Sequence, residues 1–462
     1  MKPQKTELHR NSVLLVICLA TTLIPFMGSA MNLALPVIAR EFSMNAIALS
    51  WTVSIFLLSS AILPVPFSKL ADMVGRKKIF TFGILVFTLS SLLCGLSSSG
   101  SALIFGRLMQ GIGSSMIFAT NMAILTSVFP PDQRGKAIGI NTAVVYISLS
   151  SGPFIGGMLT HSFGWRSIFF VTTVTGLIAL SGIITILKTE WVEAKGEPFD
   201  WKGVLLYGVG LSSLIYGFSD LPATNGFLFI AAGLLTLIAF VLFENQLKHP
   251  VLNVRLFWEN KAFGFASSAA LINYAATFAI SFLLSLYLQY IKGMNVQHAG
   301  LILIAQPIAQ AGLSPLAGRW SDRTNPRKLA TTGMVILVIG LLLMLFLTPS
   351  TPIGSVIAIS ALLGIGFGLF SSPNVNIIMG SVDRKYLGMA SATTGTMRLT
   401  GQAISMGITM MMISICVGKI KITPDILPQL MTSIHLIFII LALLCSVGVY
   451  TSWIGTKHQI NQ

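Results

Sequence analysis

Ser68-Lys69-Leu70-Ala71-Asp72-Met73-Val74-Gly75-Arg76-Lys77-Lys78 closes one apolar run and opens the next. The pattern returns 250 positions later as Gly318-Arg319-Trp320-Ser321-Asp322-Arg323-Thr324-Asn325-Pro326-Arg327-Lys328. Each copy sets an aspartate and a basic cluster between two long apolar stretches. A short basic loop repeated at matching places points to a membrane protein built from two related halves. The second copy keeps the aspartate and the basic residues, but has Asn325-Pro326 where the first has Gly75-Arg76.

Composition agrees with a chain that lives in lipid. Of 462 residues 54% are hydrophobic and 9% are charged, and the mean hydropathy is +0.83. Soluble domains carry about 25% charged residues. Apolar runs of roughly 20 residues, the length that spans a bilayer, recur throughout. The class is therefore an all-α polytopic membrane protein.

The net charge of +15 suggests nucleic acid until the positions of the basic residues are considered. With the N-terminus placed in the cytoplasm, all but seven of the 29 lysines and arginines fall on cytoplasmic segments. Arg40, Arg166, Lys292, Lys419 and Lys421 fall outside, and Arg107 and Arg398 lie within helices. Such a bias fixes orientation in the membrane, so the charge is topological and no nucleic-acid partner is expected. Cys18, Cys94, Cys416 and Cys445 all lie inside apolar runs without metal-type spacing, and are read as packing residues. The first apolar run, Val13 to about Val37, exceeds a signal-peptide core and is expected to be retained as a helix.

Counting apolar runs predicts fourteen helices, at about 13–37, 51–70, 79–97, 102–129, 137–160, 167–187, 203–219, 227–243, 262–291, 299–320, 330–348, 352–381, 388–417 and 433–452. The implied organisation is an N-terminal six-helix bundle over 1–187 and a C-terminal bundle over 262–462. A linker with two extra spans, 188–261, joins them. An even number of spans puts both termini in the cytoplasm.

Four segments carry more than topology. The first is the loop 68–78, where Asp72 can accept hydrogen bonds from Arg76 or from a neighbouring helix N-terminus. The second is Leu103-Ile104-Phe105-Gly106-Arg107-Leu108-Met109-Gln110-Gly111-Ile112-Gly113, which puts an arginine inside a span with Gln110 one turn along. The third is Gly152-Pro153-Phe154-Ile155-Gly156-Gly157, a proline that bends a helix beside glycines that allow close approach. The fourth is Asn32-Leu33-Ala34-Leu35-Pro36, at the end of the first helix.

Together these segments resemble the signatures of the major facilitator superfamily, specifically its fourteen-helix drug/proton antiporter group, with Ser68 in place of the first loop glycine. The resemblance covers nearly the whole chain. It implies a major facilitator fold and alternating access, with Asp72, Gly75, Arg76 and Lys77 as a conformational latch. It also implies that Arg107 and Gln110 serve proton coupling, and that Gly152, Pro153, Gly156 and Gly157 mark an antiporter. The bland reading of Arg107, a structural arginine snorkelling to the outer surface, stays open.

One departure stands out. Counting back from Pro36, the acid of the group's first-helix signature falls on Met27 and its threonine on Ser29. All fourteen acidic residues map to loops, tails or helix ends. Proton relays generally use intramembrane carboxylates or histidines, and none is visible near mid-span; Asp220, at a helix end, comes nearest. Arg398 is the converse case: it lies ten residues into its helix from Gly388, about 15 Å at 1.5 Å per residue. Either it serves an anion in a cavity or it bonds kinked backbone near Gly401. Asn32, Asn273, Tyr274, Gln306 and Gln310 are the candidate cavity residues, although interhelical hydrogen bonding suits each equally well.

The expectation is a secondary active exporter of small, mostly apolar or amphipathic, drug-like compounds, coupled to protons and placed in the cell membrane. The alternative is an exporter or uniporter of amphipathic organic anions without classical proton antiport. The expected partners are a small-molecule substrate, H+ and membrane lipid, with no cofactor and no metal, and the chain is expected to act as a monomer. No phosphate-binding loop or catalytic cluster favours a pump or an enzyme.

Overall fold

Apolar runs become helices because a backbone in lipid must satisfy its own hydrogen bonds. The computed structural model describes residues 2–192, 199–247, 254–382, 387–418 and 420–454. Among them lie α1 (Lys2–Glu41), α2 (Ala46–Ile62), α3 (Pro64–Val74), α4 (Arg76–Gly95), α5 (Gly100–Val128), α6 (Pro131–Phe163) and α7 (Arg166–Ile186). Next come α8 (Trp201–Asp220), α9 (Thr224–Glu244), α10 (Arg255–Glu259), α11 (Lys261–Thr277) and α12 (Ala279–Leu286), the last running into a π-helical turn, Tyr287–Ile291. The chain then continues through α13 (Val296–Leu303), α14 (Ala305–Arg323), α15 (Pro326–Met344), α16 (Ile353–Gly380), α17 (Leu387–Cys416) and α18 (Leu427–Ile454).

Twelve helical stretches are long and apolar enough to cross a membrane, and the bent pair α2–α3 makes thirteen. This falls short of the fourteen expected, and the shortfall is the run 203–219. That run does form a helix, but the 20 residues of α8 include four glycines, three serines, two tyrosines, Lys202 and Asp220. The run expected over 51–70 is not one straight helix. It breaks at Leu63 and turns by 45°, because Pro64 and Pro66 lack the N–H groups that would continue the ladder.

The helix neighbours repeat in the two sixes. α1 packs on α6 and α7, and α11 packs correspondingly on α17 and α18. α4 lies against α5 and α7, and α15 against α16 and α18. α2 leans on α5 as α14 leans on α16. The duplicated loop is thus the local trace of a duplicated packing scheme. The two sixes meet where α1 touches α12 and α13, where α6 touches α13 and α14, and where α17 touches α2 and α5. The pair α8–α9 lies outside this frame: α8 packs on α2 and α17, while α9 packs on α8 and leaves most of its surface outward.

Candidate functional site

The first basic loop is held by a residue outside it. Arg76 Nε donates to Asp72 Oδ1 at 2.8 Å, and Arg76 Nη1 donates to the Ser127 hydroxyl on α5 at 3.0 Å. Gly75 sits at φ +132°, a region that suits glycine. The N-terminus of α4 follows at once, and Glu190 Oε1 accepts from the Lys77 N–H at 2.9 Å. A carboxylate there satisfies an orphan donor and meets the positive end of the helix dipole. A Cβ on Gly75 would lie 2.6 Å from the Glu190 carboxyl carbon, so a larger residue would push the Glu190 carboxylate aside. The Arg76 N–H also donates to the Trp191 carbonyl at 3.0 Å. Nothing in the sequence separates Glu190 from the other acids of its linker. In the second loop the cap is local: Asn325 Oδ1 accepts from the Arg327 N–H at 3.0 Å and caps its own helix. The Asp322 side chain lies outside the described residues.

Arg107 is sealed inside the first six. It is 1% exposed, so it does not snorkel. Its Nε donates to the Thr52 carbonyl at 3.0 Å, its Nη1 to Gln110 Oε1, and its guanidinium lies 4.2 Å from the Phe56 ring centroid. Gln110 Nε2 in turn donates to the Ser91 hydroxyl at 2.7 Å. The cluster ties α2, α4 and α5 together by carbonyl, amide and π-face rather than by a carboxylate. Its partners Thr52 and Phe56 are one helical turn apart on α2, a spacing any apolar helix shows.

The glycines of the Gly152-Pro153 segment divide by face. A Cβ on Gly152 would fall 1.8 Å from Ser29 Oγ, and one on Gly156 would fall 2.6 Å from Ala30 Cβ. This pair, four residues apart, lets α6 lie directly on α1 within the first six. Gly157 faces elsewhere, and a Cβ there would come 3.0 Å from the Val296 carbonyl oxygen on α13. Reciprocally, a Cβ on Gly300 would come 2.6 Å from the Pro153 carbonyl oxygen. The segment therefore forms one seam between the two sixes.

A second seam joins α1 to α12 and the π-helical turn that follows it. The Ser285 hydroxyl donates to the Asn32 carbonyl at 2.6 Å, and Gln289 Nε2 donates to the Leu33 carbonyl at 3.1 Å. In a helix the Asn32 carbonyl would accept from residue 36, but Pro36 has no N–H. The proline thus frees the acceptor that Ser285 uses. Asn32 itself is 3% exposed, and its Oδ1 meets no donor among the described residues.

Arg398 crosses between the sixes at another level. Its guanidinium lies 5.1 Å from the ring centroid of Phe118 on α5. Helix α17 runs unbroken through this region, and Gly401 is used for packing: a Cβ there would lie 2.5 Å from the Leu271 carbonyl oxygen of α11. A guanidinium at mid-span costs at least ~2.5–3.5 kcal/mol on insertion scales. A cation–π contact returns about 0.5–2 kcal/mol, so Phe118 offsets only part of that cost. Among the described acids, Glu41, Asp72, Asp200, Asp220, Glu244, Glu259 and Asp425 all stand at or beside helix ends, and Glu190 lies in a linker.

The remaining candidates scatter. Asn273 is fully buried within the second six, with Nδ2 3.0 Å from Met334 Sδ. Tyr274 meets Phe367 edge-on at 5.4 Å. Gln310 is buried and Gln306 half-buried on α14. Asp220 is the last residue of α8.

Known proteins share this arrangement. A Major Facilitator Superfamily profile matches residues 17–243 and 266–459. A riboflavin transporter, RibZ, of Clostridioides difficile is 32% identical over 386 residues, 84% of each chain. Multidrug resistance protein Stp of Mycobacterium tuberculosis is 28% identical over 82% of this chain and 71% of its own. The cephamycin export protein CmcT of Amycolatopsis lactamdurans is 29% identical over 86% and 84%. Among solved structures, a bacterial homologue of the human lysosomal transporter Spinster superposes with a TM-score of 0.70 at 17% identity, covering 100% of this chain and 98% of that one. Paired sixes, repeated loops and matching profile converge: this chain is a multi-pass membrane transporter and belongs to the Major Facilitator Superfamily.

Proposed function

We propose that the chain exports small amphipathic, drug-like organic compounds across the bacterial plasma membrane by alternating access, in exchange for protons. In this reading α8 is a fourteenth span and residues 188–261 carry the two extra helices between bundles 1–187 and 262–462. Both termini face the cytoplasm, the side of the basic loops, and the protein works as a monomer. Asp72, Gly75, Arg76 and Lys77 form the latch on that side. The relatives named for multidrug resistance and cephamycin export support an organic cargo, as does the riboflavin transporter.

The observation that carries the reading is the pair of seams on the side away from the basic loops. Gly157 with Pro153 meets Val296 and Gly300, and Ser285 with Gln289 meets the carbonyls of Asn32 and Leu33. Contacts made through bare backbone and single hydrogen bonds can part and re-form, as alternating access requires. Inverted membrane vesicles test this. Rhodamine 123 should accumulate on energisation and leak when nigericin collapses the pH gradient. Accumulation by wild-type vesicles no faster than by vesicles lacking the protein would end the export reading.

A second reading has its own support. No described acid stands at mid-span, so transport of organic anions without proton antiport also fits. Accumulation of fluorescein, an anion, that ignores nigericin would favour it over proton exchange.

A further inference from the structure

Of the two arginines placed within spans, only one has unspent chemistry. Arg107 turns its donors to Thr52 and Gln110 inside the first six. Arg398 makes neither a hydrogen bond nor an ion pair with any described residue, although a guanidinium carries five N–H donors. It is half-buried, as is Phe118 beneath it. Both lie at matching depth: Arg398 is eleven residues from the start of α17 and Phe118 ten from the end of α5, about 15–17 Å from the basic-loop side at 1.5 Å per residue.

The backbone that presents Arg398 is fixed on two flanks. At Gly401 it presses on α11 beside Tyr274. At Thr400 its hydroxyl is 2.7 Å from the Tyr207 hydroxyl of α8. One turn along α5 from Phe118, the buried Asn121 gives Nδ2 to the Thr21 hydroxyl at 2.8 Å, while its Oδ1 meets no donor among the described residues. A cation over an aromatic face, held on a rigid backbone between two moving bodies, is a preorganised receptor.

We infer that Arg398 and Phe118 form a docking site for an anionic, planar aromatic cargo. The guanidinium takes its carboxylate, sulfonate or phenolate group, because a charge-assisted fork outbids a π-face for a guanidinium. The cargo ring then lies against Phe118, which keeps its stacking surface when the guanidinium turns to the anion. Since α17 and α5 belong to different sixes, the cargo replaces a direct contact between them with one made through itself. This names the cargo class for the export reading and rests on it for movement, though not for binding.

Matched xanthene dyes separate the two. Purified full-length protein in detergent is titrated with fluorescein, an anion, and rhodamine 123, a cation of the same ring system, by fluorescence anisotropy. Arg398→Gln should weaken fluorescein at least tenfold while rhodamine 123 changes less than threefold, and Arg398→Lys should restore part of the loss. Phe118→Leu, which keeps the charge and most of the volume, should weaken fluorescein about threefold or more. Equal loss of both dyes in Arg398→Gln, or fluorescein binding that ignores both substitutions or is absent in wild type, would overturn the proposal. Failure of export leaves a different trace: wild type binds fluorescein, yet neither dye moves in vesicles.

Discussion

The Ser285 hydroxyl donates to the carbonyl of Asn32 at 2.6 Å, an acceptor that the helix itself leaves open because Pro36 stands four residues on. Sequence, backbone and seam are one argument here: a proline in α1 makes a hydrogen-bond acceptor for α12 in the other six. Pro36→Ala returns an N–H to the Asn32 carbonyl, and Ser285→Ala removes the donor. A neutral hydrogen bond contributes about 0.5–1.5 kcal/mol, so each change should loosen the seam by a factor of roughly 2–10. The readout is labelling of Leu33→Cys, a position buried at 0% exposure, by a membrane-impermeant maleimide applied from the side away from the basic loops. Faster labelling in both variants is expected. Unchanged labelling in both would show that the bond carries no weight.

The two faces of the Gly152–Gly157 segment predict two different kinds of damage. Gly156 lies on Ala30 within the first six, so Gly156→Val overpacks a fixed interface and should lower stability by about 1–3 kcal/mol. The protein yield and its melting temperature by fluorescence-detected size exclusion report this. Gly157 lies on Val296 across the seam, so Gly157→Val should leave melting within a few degrees of wild type yet stop dye transport. Equal melting temperatures for the two variants would contradict the division by face.

Much of this was legible beforehand. Duplication, the placement of most spans along the chain and the close-packing role of the glycines all follow from patterns that the bilayer imposes. The confinement of the described acids to helix ends and a linker was also readable. What the sequence hid were partners brought from afar: Glu190 against Lys77, Phe118 under Arg398, Ser285 on the Asn32 carbonyl. Each is an ordinary residue for its place, and only tertiary packing selects it. The count of clearly apolar spans came to thirteen for a different reason. Hydrophobicity varies continuously along α8, whose glycines, serines and tyrosines serve a protein neighbour rather than lipid.

Glu190 should behave as the cap of α4. Glu190→Ala leaves the Lys77 N–H unmet, a loss of about 0.5–2 kcal/mol by analogy with other caps. Gly75→Ala brings two penalties at once, the strained φ of +132° and the 2.6 Å approach to the Glu190 carboxyl carbon. In the double variant the collision is gone, leaving the backbone strain and the lost cap. The double variant should therefore be more stable than the sum of the single losses implies, a positive coupling measurable by urea melting of the purified protein in mild detergent. Simple additivity would place Glu190 away from the turn.

The last prediction concerns α8, which touches both sixes by unlike means. To α17 it is pinned: Tyr207 and Thr400 share a hydrogen bond of 2.7 Å, and the Ser414 hydroxyl donates to the Leu221 carbonyl just past the end of α8. Between these pins Gly407 admits Ile215 and Phe218, with a built Cβ only 2.7 Å from Ile215 Cδ1. To α2 it is merely apposed, by the tilted rings of Trp51 and Tyr216 at 6.4 Å and by Ile62 against Gly208. Polar pins resist sliding, whereas apolar faces exchange neighbours cheaply. The pair α8–α9 should accordingly travel with the second six and slide over the first. Joining Phe218→Cys to Gly407→Cys with a short bis-maleimide should leave more than half of wild-type dye transport, provided the uncross-linked pair is itself active. Joining Tyr216→Cys to Trp51→Cys should stop transport, and reducing a cleavable version of the linker should restore it. Arrest by the first link together with activity through the second would reverse the assignment and tie α8 to the first six.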